Sequence, residues 1–222
     1  MKTTINCFIP FADAAQAEKT IQGLKSSNLV KDIYLLVTED TEVPLQGCRI
    51  LHVPALNSTA AMRIIAAHSD ADYTLFYTKY TTLKLGMFAL ERMTRIAEDS
   101  VAGMVYADHY QVSEGIQKNA PVIDYQFGSL RDDFNFGSVL LYKASALQEA
   151  VTRMKTDYQF AGLYDLRLKL SQKESLVHIN EYLYSEIEND TRKSGEKIFD
   201  YVDPKNRGVQ IEMEQACTEH LK

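Results

Sequence analysis

The segment RDDFNFG sets Arg131 beside Asp132 and Asp133, a cation next to two carboxylates, in a loop just ahead of an apolar run. Repulsion within a carboxylate pair raises one pKa toward that of a useful proton acceptor, and the same pair suits a divalent ion. A solvated turn fits these residues as well, while the flanking Tyr125, Phe127, Phe134 and Phe136 favour partial burial. Glu39 and Asp40 close the run KDIYLLVTED, and Asp108 and His109 close VAGMVYADHY. Arg192 and Lys193, in DTRKSG, are a pair of cations of the type that binds phosphate. Lys79 stands between Thr78 and Tyr80 in YTLFYTKYTTLKLG. The chain has no phosphate-binding glycine loop, no HExxH, no CxxC pair and no GxSxG. Its five histidines are scattered, which favours structural roles for most of them.

The elements that position these residues follow from periodicity. TTINCFIPF is a buried strand stopped at Pro10, and Asp13 can cap a helix bearing Ala14, Ala17, Ile21 and Leu24, with Asn28 as its stop. KDIYLLVTED and CRILHVP are further strands; STAAMRIIAAH is a helix capped by Ser58 or Thr59; DYTLFYT is the fourth strand. A helix from Leu83 to Ala97 is expected next, with Met87, Leu90, Met93 and Ala97 on one face. Continuous apolar strands alternating with helices predict an α/β fold, a largely parallel sheet with helices on both faces. Ligands then bind beyond the carboxyl ends of the strands, where Pro10, Phe11, Glu39, Asp40, Asn57 and Lys79 fall along one rim. The second half is less regular: a strand ending at Asp108–His109, a strand from Ser138, helices from Ala144 and Leu163, and a strand or hairpin in LVHINEYLYSEIE. The last stretch, VQIEMEQACTEHLK, has helical spacing.

With 222 residues, 45% apolar and 24% charged, the chain suits one domain of two halves, 1–100 and 101–222. Its helical end leaves room for a further domain after residue 222. A net charge of −6 argues against a nucleic-acid partner that is held through its phosphates. No secretory signal and no transmembrane segment is present, and three widely spaced cysteines suit reduced thiols, so a cytoplasmic location is expected.

Taken in order, CFIPF, LLVTED, ALNSTAAMRIIAAHSDADYTLFYTK and GMFALERM, then AGMVYADHY, FNFGSVLLYKASAL and AGLYDLRLKLS, resemble a family-2 glycosyltransferase of the GT-A fold. The resemblance covers residues 3 to 195. It implies a nucleotide-sugar donor and a saccharide or other hydroxyl acceptor. Glu39 and Asp40 match the acidic pair that reads the donor's base and ribose, as carboxylates accept from N–H and hydroxyl groups. Pro10 and Phe11 match the turn beside the base, with core packing of Phe11 as the alternative; Asn57 matches the asparagine opening the second helix, or simply caps it.

Two positions depart from the family. Its metal-binding D-x-D falls on Thr78, Lys79 and Tyr80, so a divalent cofactor is not expected. Its Glu-Asp before a helix, whose aspartate is the base, falls on Gly162 and Leu163, and leucine cannot accept a proton. The replacements expected for catalysis are Asp132, Asp133 and Asp165, the last being the next acid along that helix. Donor binding is expected from Pro10, Phe11, Glu39, Asp40, Asn57, Lys79, Arg131 and Arg192. The other reading is a catalytically impaired GT-A domain that binds a nucleotide-sugar or glycan as a scaffold. A sugar-phosphate nucleotidyltransferase ranks last, because its glycine-rich phosphate loop is missing.

Overall fold

A computed structural model of the chain describes residues 3–38, 43, 45–188 and 207–222. Its elements are β1 (Ile5–Pro10), α1 (Ala14–Lys25), β2 (Val30–Val37), β3 (Arg49–His52), α2 (Thr59–Ala67), β4 (Tyr73–Tyr77), β5 (Thr82–Leu85) and α3 (Ala89–Ser100). Then come β6 (Met104–Ser113), β7 (Ile116–Ala120), β8 (Val139–Lys143), α4 (Ala144–Thr152), α5 (Gly162–Ser171), β9 (Leu176–Ile187) and α6 (Arg207–His220). One sheet runs in the order β3-β2-β1-β4-β8-β6-β9-β5, with β7 paired to β6. Strands β1, β2, β3, β4, β6 and β9 run one way, and β5, β7 and β8 run the other.

Strand β1 is buried along its whole length because it lies between β2 and β4 with a core on each face. One core holds Ile9, Ala17, Leu35 and Leu75 beneath α1 and α3; the other holds Phe8, Tyr34, Ile65 and Leu147 beneath α2 and α4. The starts of α1 and α2 follow the expected chemistry. The Asp13 carboxylate accepts from Gln16 N at 2.8 Å, and Ser58 Oγ, rather than Thr59, accepts from Ala61 N at 3.1 Å.

Two elements differ from expectation, and a third takes the strand form of the two that its sequence left open. The helix expected from Leu83 begins only at Ala89, because Thr82–Leu85 pairs with β9 as a strand that buries Thr82 and Leu83. Gly86 then passes so close to β9 that a Cβ there would lie 2.8 Å from Leu183 O. Met87, placed on the buried face in the sequence reading, is 87% exposed. Strand β6 does not stop at Asp108–His109: it continues to Ser113 and turns into β7 through Glu114 and Gly115, whose φ values of 53° and 77° suit a tight two-residue hairpin. LVHINEYLYSEI is one long strand that pairs with β6 on one side and β5 on the other. No helix among the described residues is long and apolar enough to cross a membrane.

Candidate functional site

Beyond the carboxyl end of β4, and over side chains of β6 and β9, lies a cleft of about 580 Å³. Thr78 and Lys79 enter it from the end of β4; Asn57 enters from the loop before α2. The 131–137 segment leading into β8 contributes Arg131, Asp132, Asp133, Phe134 and Phe136. Helix α5 adds Leu163, Tyr164 and Arg167, and the two long strands add His109, Gln111 and Glu186. The fold thus brings together Asn57, Lys79, Arg131, Asp132 and Asp133, which the sequence places in three separate segments.

Each wall is held by identifiable contacts. Thr78 N donates to Ser138 O at 2.9 Å, which fastens the Lys79 turn to the start of β8. Arg167 is buried; its guanidinium donates to Ser129 O at 2.9 Å and Arg131 O at 2.8 Å, and lies 4.8 Å from the Tyr164 ring centre. It therefore pins the acidic loop to α5 by hydrogen bonds and cation–π contact. Phe134 and Phe136 pack with centroids 4.4 Å apart and Tyr125 packs on both, all half-buried, whereas Phe127 is 89% exposed.

The acidic pair is not symmetric. Arg131 forms a fork with Asp133, at 2.9 and 2.8 Å, and its guanidinium holds the Asp133 carboxyl below the usual carboxylate range. Asp133 is exposed, ionised and already engaged, a poor proton acceptor. Asp132 lines the cleft beside it.

Asp165 takes a different place from the one expected. Its side chain has no exposed surface, faces Lys169 one turn on at 3.2 Å, and does not line the cleft. Leu163 and Tyr164 point to the cleft, and two positions along a helix turn Asp165 about 200° away from Leu163. Burial pushes its carboxyl pKa up, with Lys169 acting in the opposite direction. Pro10 and Phe11 are also outside the cleft: Pro10 is buried opposite Leu36 in the sheet, and Phe11 packs against the core. Asn57 reaches the cleft, but the cap of α2 belongs to Ser58, and the Asn57 carbonyl accepts from Leu163 N at 3.1 Å. Glu39, Asp40 and Arg192 lie outside the described residues.

Three further arrangements depend on partners distant in the sequence. His109 and Glu186 meet at 3.2 Å only because β6 and β9 pair side by side. The Glu212 carboxylate of α6 accepts from Gln159 N, Phe160 N and Ala161 N at 3.1, 2.6 and 3.1 Å. It serves the backbone leading into α5, a helix with no capping side chain of its own. Asp108 turns away from His109, accepts from Val122 N at 2.8 Å and meets His178 at 2.9 Å. It braces the sheet.

The turn at Thr78–Tyr80 does not fit a divalent ion, since an ammonium stands where carboxylates would have to be. Among the described residues no three His, Cys, Asp or Glu side chains converge as metal ligands.

No protein-family model matches the chain, and no curated protein matches it. Solved structures do share its architecture. S. aureus TarS 1-349 superposes with a TM-score of 0.60 at 8% identity, over 83% of this chain and 60% of that one. The same fragment in complex with UDP-GlcNAc gives 0.62 at 8%, over 88% and 62%, and S. aureus TarS gives 0.59 at 9%, over 83% and 37%. The chain has an α/β GT-A-like fold, the glycosyltransferase-like architecture. It spans less than two thirds of the length of these structures.

Proposed function

We propose that the cleft binds a nucleotide-sugar and that the domain transfers the sugar to an acceptor hydroxyl without a metal ion. The observation that carries this reading is Lys79. It stands where the resemblance would put a metal-binding turn, is exposed into the cleft, and among the described residues no carboxylate pairs with it. In the transfer, an acceptor oxygen bonds to the anomeric carbon, the bond from that carbon to the diphosphate breaks, and the nucleoside diphosphate leaves. Negative charge grows on the leaving group, and a fixed cation beside it lowers the barrier. Lys79 supplies that charge as a compact ammonium on a flexible stem. Asp132, which lines the cleft, is assigned the acceptor proton, and Asp133, held in the fork of Arg131, is not.

A donor of the uridine diphosphate class is proposed because a structural neighbour was solved with UDP-GlcNAc. A second reading has one specific observation in its favour. Leu163 lines the cleft, and the resemblance gives its position to the base, which suits a domain that binds the donor without turning it over.

Calorimetry with UDP and UDP-GlcNAc in excess chelator, followed by sugar release, tests both readings. Wild type is expected to bind without added manganese, and Lys79→Ala to bind about tenfold more weakly, about 1.4 kcal/mol. Asp132→Asn should bind as wild type does and lose turnover. Binding that needs manganese, or a Lys79→Ala variant as tight as wild type, removes Lys79 from the role. Tight binding with no turnover in wild type favours the binding-only reading.

A further inference from the structure

Lys79 brings one positive charge to a diphosphate, and the cleft holds a second group able to acquire one. His109 lines the same cleft with its Nε2 3.2 Å from Glu186 Oε1. Its ring is stacked on Tyr184 with centroids 5.0 Å apart and planes 4° from parallel. Tyr184 is itself fixed, since its hydroxyl oxygen accepts from Ser138 N at 2.8 Å and Val139 N at 3.3 Å. Gly137, with φ of 73°, closes over the far edge of the imidazole: a Cβ there would lie 3.4 Å from His109 Nδ1. That Nδ1 is buried and has no hydrogen-bond partner among the described residues. An imidazole held this firmly beside a buried carboxylate, with one nitrogen unpaired, is arranged for a change of protonation.

We propose that His109 takes up a proton when a nucleoside diphosphate enters the cleft, so that Lys79 and the His109 imidazolium together oppose its charge while Glu186 stabilises the imidazolium. This rests on the proposed donor site and adds its second cation. The charged and titratable groups around His109 are Glu186 and Tyr184 from β9, Lys79 from the end of β4, and its neighbour Asp108. Without ligand, burial holds the imidazole below its usual range; Glu186 and Asp108 pull it up, and Lys79 pushes it down. A diphosphate beside Lys79 cancels the push and leaves the pull. The pKa of His109 therefore rises on binding, binding consumes a proton, and affinity grows as pH falls between the two pKa values, by at most about tenfold per pH unit.

The test is calorimetry of UDP in excess chelator near pH ~7.5, where the terminal phosphate of UDP is already ionised. Titrations in PIPES and in Tris, which differ in ionisation heat, give the protons exchanged. Wild type is expected to take up a measurable fraction of one proton per UDP. His109→Gln should take up none, and its affinity should no longer climb as the pH is lowered. Glu186→Gln, which removes the counter-charge, should reduce the uptake. If His109→Gln fails to fold, the histidine ring NMR signals of wild type give the same answer, with one resonance whose titration moves to higher pH when UDP is added. UDP binding with no proton uptake, or uptake that persists in His109→Gln, overturns the assignment while leaving the donor site in place. No UDP binding at any pH overturns the donor site and this inference with it.

Discussion

Lys169→Met is expected to destabilise the protein by about 3–5 kcal/mol at neutral pH, the loss typical of a buried ion pair stripped of one partner. Asp165 has no exposed side-chain surface, Lys169 only 11%, and the ammonium lies 3.2 Å from one carboxylate oxygen. Neither carboxylate oxygen has a hydrogen-bond partner among the described residues, so Lys169 is the main compensation for the buried charge. Burial already pushes the Asp165 pKa up against the pull of Lys169, and losing the lysine pushes it further. The sign follows from linkage. A carboxyl whose pKa is raised by folding binds its proton more tightly in the native state, so its contribution is favourable below the unfolded pKa and is lost as pH rises through the folded one. The deficit of the variant should therefore shrink as urea denaturation is moved from neutral pH toward pH ~4, because protonating Asp165 removes the unpaired charge. Asp165→Leu combined with Lys169→Met should recover much of the loss at neutral pH. A deficit that is the same at both pH values would show that Lys169 acts through packing alone.

Asp165 also shows where sequence reasoning reaches its limit. The alternation of apolar strands and capped helices in the first half was legible, because periodicity and caps such as Asp13 are local properties. The direction of a helical side chain depends on which neighbouring elements cover the helix. Asp165 is near Leu163 in sequence yet faces away from the cleft that Leu163 lines. The three segments that supply Asn57, Lys79 and Asp132 to the cleft were legible only through their family-like order, which carries the topology with it. Nothing local marks Glu186, since its meeting with His109 depends on the pairing of β6 with β9, and that pairing shifts register at Asp108. Strand β5 was misread for a related reason. TLKL is too short for periodicity to decide, and its partner is a strand a hundred residues later.

Gly162→Ala is expected to cost about 3 kcal/mol or more, above the usual range for overpacking, because the atoms in the way are main chain. A Cβ on Gly162 would lie 2.2 Å from Thr59 N, 2.3 Å from Ser58 C and 2.8 Å from Asn57 O. No rotamer change relieves such contacts, so the starts of α2 and α5 must move apart. That separation strains two hydrogen bonds, Thr59 N to Tyr158 O at 2.9 Å and Leu163 N to Asn57 O at 3.1 Å. Leu163, Tyr164 and Arg167 travel with α5, and Arg167 carries the acidic loop, so the cleft should deform along with the loss of stability. UDP affinity in the surviving folded fraction should fall too. Gly23→Ala is the matched control: it lies within α1 with nothing within 4 Å of its would-be Cβ, and should stabilise by about 0.5–1 kcal/mol. Chemical denaturation of the two variants should give opposite signs for the same added methyl group. If Gly162→Ala is as stable as wild type, α2 and α5 are not seated this closely, and the cleft wall is not set by Gly162.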